Sequence, residues 1–117
     1  MKETEQEQEK PVVWVGSSLE DLKEFPADVQ DEMGYALYVA QTGDKHSKAK
    51  PLQGFSGVME IRSNYKSDTY RAVYTTKIGD KIYVLHAFQK KSKRGIGTPR
   101  KEINLIKRRL QRAQELA

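Results

Sequence analysis

Cysteine is missing from this 117-residue chain altogether. That excludes disulfide scaffolds, thiolate zinc sites and thiol nucleophiles, and it fits a cytoplasmic protein. Histidine is nearly as scarce, with His46 and His86 far apart in the sequence. No carboxylates cluster near either, so metal-assisted hydrolysis has no evident ligand set. No apolar run approaches the roughly 18 residues that a membrane span requires. There is no GxSxG elbow, and GIGTPRK at 95–101 has the glycines of a phosphate loop without its GxxxxGK[ST] spacing. The opening MKETEQEQEK lacks an apolar core and is not read as a secretory signal. Its alternating Glu, Gln and Lys predict a disordered acidic tail over 1–10, leaving 11–117 as a single domain.

Acidic residues are scarce in the second part of the chain. Residues 1–44 carry 3 Lys/Arg and 11 Asp/Glu, a net of −8, whereas residues 45–117 carry 18 and 5, a net of +13. The segment KKSKRGIGTPRK (90–101) holds six cations and no acid. A basic surface gathered in one region is the footprint of a phosphate-backbone ligand. A basic pI that serves only solubility is the plainer alternative, and the clustering of the charge argues against it.

The local patterns define the elements. Val12–Val15 reads as a short strand. Ser17 with Glu20 has the form of a capping box opening a short helix to about Glu24, with Leu19 and Leu22 inward. Pro26 leads into a second helix over Ala27–Gln41, on which Val29, Met33, Ala36, Leu37 and Ala40 make a helical stripe. Residues 44–57 read as a polar loop. Val58–Ser63 alternates Met59 and Ile61, expected inward, with Glu60 and Arg62, expected outward. Tyr70–Thr76 and Lys81–Gln89, rich in Val, Tyr, Thr and Ile, flank a turn at Ile78-Gly79-Asp80 and form a hairpin. Thr98 followed by Pro99 predicts an N-cap and N1 for a last helix to Leu116, with Ile103, Ile106, Leu110 and Ala113 facing in. The expected order is β-α-α-β-β-β-α. It describes an α+β domain with its helices on one face of a small antiparallel sheet and the other face uncovered.

The strands also carry candidate chemistry. RNA can be cut without a metal when a 2′-OH attacks its own phosphate. The protein must then accept a proton, stabilise charge on the phosphate and protonate the leaving oxygen. Arg62 and Arg71 share the outward parity and are expected to be neighbours across two strands. Lys90 and Lys91 leave the last strand where the basic segment begins, and Lys93, Arg94, Arg100 and Lys101 extend it as RNA contacts. Arg71 has a plainer role available, as an exposed cross-strand partner of Glu60. His86, in phase with Ile82, Val84 and Phe88, is on its residues alone as readily a satisfied core histidine as a catalyst.

Taken together, SLEDLKEFP, GYAL, KPLQGFSGVMEIR, TYRAVY, IYVLHAFQKKSKRGIGTP and the basic terminal helix resemble the RelE/HigB-like toxin superfamily. The group they resemble is its phage-derived, gene-product-49-like branch, over about residues 12–112. The resemblance implies a microbial-RNase-type fold and the toxin half of a type II toxin–antitoxin pair, an endoribonuclease that cuts mRNA on the ribosome and so inhibits translation. It implies a helix-turn-helix antitoxin as partner and no cofactor. By position, Arg71 matches the arginine that contacts the scissile phosphate. Lys91 falls where a second catalytic arginine lies, with Lys90 beside it, and Arg62 falls where a lysine is common. His86 is typical of the group. The tyrosine that RelE-type members place after the basic loop has no counterpart, because Thr98-Pro99 occupies that region, and the general base is unassigned. The alternative reading is a non-catalytic nucleic-acid-binding regulatory module.

Overall fold

The computed structural model describes residues 9–90 and 97–117. The chain runs β1 (Val12–Trp14), α1 (Ser18–Lys23), α2 (Ala27–Gln41), β2 (Ala49–Pro51), β3 (Val58–Tyr65), β4 (Asp68–Thr75), β5 (Ile82–Lys90) and α3 (Arg100–Leu116). The acidic tail expected over 1–10 falls largely outside the described residues, as do Lys91, Lys93 and Arg94. No described helix is long and apolar enough to cross a membrane.

The domain is α+β, with a five-stranded sheet in the order β1-β5-β4-β3-β2. β3, β4 and β5 form the antiparallel meander that alternation predicts, and β1 joins parallel to β5. The strand β2 was hidden in the polar 44–57 stretch. Only three residues long and carrying Lys50 and Pro51, it has the composition of a blunted edge strand, and it pairs with Met59–Ile61 of β3. The β3–β4 link is a two-residue turn in which Lys66 and Ser67 both have positive φ, 52° and 78°. That pattern is the hairpin turn whose twist suits the flanking strands.

On one face, the α2 stripe Val29, Met33, Ala36, Leu37 and Ala40 packs with Leu22, Ile61, Ala72, Tyr74 and Val84. This is the core that the helical spacing of the sequence describes. The opposite face is not open. Val58, Val73, Tyr83, Leu85 and Phe88 cluster there with Ile106 and Ala113 of α3, whose half-buried Leu110 flanks them. The helices therefore lie on both faces, correcting the one-sided expectation. Strand parity assigns a side chain to a face but does not say what covers that face.

Two local devices seat α3. Between Val73 and Tyr74 the β4–β5 register slips, with Val73 opposite His86 and Tyr74 opposite Val84, so Leu85 is a bulged extra residue. Arg109 Nη1 donates to the Leu85 carbonyl at 3.1 Å, and its Nη2 donates to Ser17 Oγ at 3.0 Å. Gly16, at φ +60°, lets this guanidinium lie against the backbone; a β-carbon there would come 2.6 Å from Arg109 Nε. Ser17 Oγ in turn donates to Asp21 and accepts from no helix-end amide, so the expected capping box is not formed. Within α1 the fully buried positions are Ser18 and Leu22, with Leu19 half-buried. Ser18 Oγ donates to the Val84 carbonyl.

Candidate functional site

The α3-covered face of the meander brings the candidate cations together. Arg62 and Arg71 are direct cross-strand partners, as their shared parity predicts. Like charges placed opposite one another are unfavourable, and Glu60 offsets the repulsion. Lying two residues before Arg62 on the same face, its Oε1 accepts from Arg62 Nε at 3.0 Å and its Oε2 from Arg71 Nη1 at 2.8 Å. Glu60 was expected to face outward. It does leave the α2 core, but it is 3% exposed, paired to both arginines in the wall of a cavity that Gly97, Thr98 and Ile103 also line. Arg71 is also buried, correcting the exposed-partner expectation, whereas the Arg62 side chain is half exposed. The Glu60 partnership was among the sequence alternatives; its burial was not.

Thr98 completes the clamp. It does not cap α3, because Pro99 takes the N-cap position and no side-chain cap bond forms. Its Oγ1 instead accepts a 3.1 Å hydrogen bond from Arg71 Nη1. Arg71 Nε remains buried without a hydrogen-bond partner among the described residues. A buried guanidinium N–H left without a partner is costly and ready to bind an anionic oxygen. A cavity of about 330 Å³ opens here, lined by Glu60, Arg62, Arg71, Gly97 and Thr98 and by Leu52 and Ile103.

Lys90 is buried at the end of β5, and its Nζ donates to the Gly97 carbonyl at 2.6 Å. Burial, and then the guanidiniums of Arg71 and Arg62, hold its ammonium below the ordinary lysine value, partly countered by Glu60. A lower pKa increases the fraction of neutral amine at any given pH, which suits a lysine for proton transfer.

His86 reaches this face only because of the bulge at Leu85. Sequence phase groups it with Ile82 and Val84, but the extra residue reverses the alternation, so His86 and Phe88 point toward α3 while Ile82 and Val84 point toward α2. His86 Nε2 lies 2.6 Å from Glu102 Oε1. A carboxylate can only accept, so Nε2 carries the hydrogen. The ring stacks on Phe88 at 4.8 Å, and Nδ1 is buried without a partner among the described residues. His86 does not line the arginine cavity, and its partner Glu102 carried no signal in the sequence.

Of the remaining candidates, Arg100 and Lys101 are exposed in the first turn of α3. Arg100 lines a second, adjoining cavity. Lys91, Lys93 and Arg94 lie outside the described residues. Glu60, Thr98 and Glu102 are therefore the additions made by the structure. Only Glu60 had a legible signal, its same-face spacing from Arg62.

The family model described as Phage derived protein Gp49-like matches residues 20–111. Among solved structures, the RelBE2 toxin–antitoxin complex from Mycobacterium tuberculosis matches with a TM-score of 0.49 and 16% identity, covering 70% of this chain and 99% of that chain. No curated protein matches.

Proposed function

The chain belongs to the phage-derived Gp49-like family, and from that premise we propose that it is a RelE/HigB-like toxin, the toxin of a type II toxin–antitoxin pair. Its activity in this reading is endoribonucleolytic cleavage of mRNA on the ribosome. The observation that carries the reading is the Arg62–Arg71 pair. Two cations are forced together across β3 and β4, fixed by one buried carboxylate, with the buried Arg71 Nε unpartnered among the described residues beside a cavity.

The reaction needs no cofactor. The 2′-oxygen bonds to the adjacent phosphorus as its proton leaves, the bond from phosphorus to the 5′-oxygen breaks, and that oxygen takes up a proton. The products are a 2′,3′-cyclic phosphate and a 5′-hydroxyl. Arg71 and Arg62 bind the non-bridging oxygens and stabilise the charge that builds on them, the role suited to preorganised donors in a partly dry site. Lys90, with its lowered pKa, is assigned a proton transfer. Glu102 fixes His86 behind this cluster, so His86 supports the α3–sheet junction next to the site. The acidic α1–α2 hairpin, with Tyr35 and Tyr38 exposed on α2, offers a helix-turn-helix antitoxin a docking face apart from the RNA site.

The test is tightly induced expression in a bacterial host of wild type beside Arg71→Lys, with growth followed and mRNA 5′ ends mapped by primer extension. The lysine keeps the charge beside Glu60 but loses the planar fork. Wild type is expected to arrest growth and create new ends. The variant, confirmed folded by circular dichroism, is expected to cut about 10²- to 10³-fold more slowly, as for loss of one charge-stabilising donor. A folded wild type that leaves growth and mRNA ends unchanged, or a variant that cuts as well as wild type, overturns the assignment.

A further inference from the structure

The arginine cavity does not end at Arg71. It shares Gln53, Thr98 and Ile103 with a larger cavity of about 420 Å³, lying between the 53–55 segment and the first two turns of α3. Neither arginine of the clamp nor Glu60 lines this second space, which Thr98 borders. Its walls carry three kinds of group that converge on one chemistry. Phe55 presents an aromatic ring that is only partly buried, its other contacts being with the α3-side core. Gln53 and Asn104 contribute side-chain amides that are exposed and make no hydrogen bond within the described residues. Arg100 and Lys107 add two cations at the rim, and no acidic residue lines the cavity.

An aromatic face, free amides that both donate and accept, and flanking cations suit an unpaired nucleobase with its phosphates. The ring supplies stacking, which any base accepts. The amides supply the directional hydrogen bonds that distinguish one base edge from another. The cations hold the phosphate on the far side of that base. The volume lies within the range of small-ligand sites.

We propose that this cavity is a nucleobase subsite of single-stranded RNA, holding the base next to the phosphate bound by Arg62 and Arg71 and selecting it through Gln53 and Asn104. The proposal rests on the ribonuclease reading for the identity of the polymer, and it adds the residues that choose where along the RNA the protein engages.

An abasic scan tests it. A short unstructured RNA, made uncleavable by 2′-O-methylation, is prepared with single abasic sites at successive positions, and its affinity for the full chain is measured by fluorescence anisotropy. Wild type is expected to lose affinity at one position by about five- to 150-fold, the range for one stacked base. In Phe55→Leu, which retains apolar bulk against the core, that position should lose its distinctiveness. In the Gln53→Ala/Asn104→Ala double variant the abasic penalty should persist, while discrimination among the four bases at that position falls. Thermal melts establish that both variants are folded.

The outcomes separate the two readings. Wild type that cleaves RNA but shows no position whose penalty depends on Phe55 overturns the subsite and leaves the nuclease standing. Wild type that shows the position yet never cleaves supports the subsite and overturns the nuclease. Wild type that neither binds nor cleaves RNA overturns both.

Discussion

Glu60 is the residue on which the site balances. One carboxylate separates two arginines that the β3–β4 register makes neighbours, and two of the three groups are out of water. Removing one member of a buried ionic cluster leaves an uncompensated charge and typically costs about 3–5 kcal/mol. Glu60→Ala is therefore expected to destabilise the fold by that order, because Arg71 would stay buried opposite Arg62 with its neutralising partner gone. Urea unfolding checks this. The double variant Glu60→Ala/Arg71→Met should recover much of the loss, since it removes the stranded charge. Equal stabilities for Glu60→Ala and wild type would show that the clamp carries no weight. Sequence alternation assigned Glu60 to the correct face. Its burial was not legible, because the residues gathered around it include Arg71, Gly97, Thr98 and Ile103, far along the chain.

Among the elements, the β3–β4 hairpin is the least well served by its own residues. Lys66 and Ser67 both occupy left-handed backbone, where a side chain costs about 1–2 kcal/mol relative to glycine or asparagine. Replacing the pair by Asn-Gly is expected to stabilise the protein by about 1 kcal/mol and raise Tm by several degrees for a domain of this size. Differential scanning calorimetry reads this directly, and a lower Tm would show that Lys66 or Ser67 makes a contact that outweighs the strain. The β5 bulge has the opposite character. It turns His86 and Phe88 toward α3, and the Leu85 carbonyl displaced from the ladder accepts from Arg109. The hairpin was readable from two β-rich runs around a turn, whereas no residue pattern marks Leu85 as the extra one.

For the molecule as a whole, the charge division seen along the chain becomes a division in space. The acidic helices α1 and α2 pack on one sheet face, and the arginine clamp and basic α3 occupy the other. RNA affinity is therefore expected to fall steeply with salt, with a log–log slope of about −0.7 for each phosphate neutralised on a single strand. Arg62→Ala should lower the magnitude of that slope by about one such contact. Lys23→Ala, on α1, should leave it unchanged. Anisotropy titrations with an unstructured RNA at several salt concentrations measure both. A slope equally insensitive to both variants would take Arg62 out of the phosphate path.

The local patterns alone determined which residues form α2 and its buried stripe, which runs pair as a meander, and that Arg62 and Arg71 meet across it. These follow from the periods of 3.6 and 2, which act over a few residues. The tertiary structure decided what lies over each face. It brought α3 across the second side, buried Glu60 and Arg71, moved Thr98 from a cap to a clamp, and used one bulged residue to send His86 to the face opposite its phase. Each of these depends on contacts between segments tens of residues apart. Their energy comes from burying apolar surface and pairing the polar groups trapped beneath it, and no short stretch of sequence records that pairing.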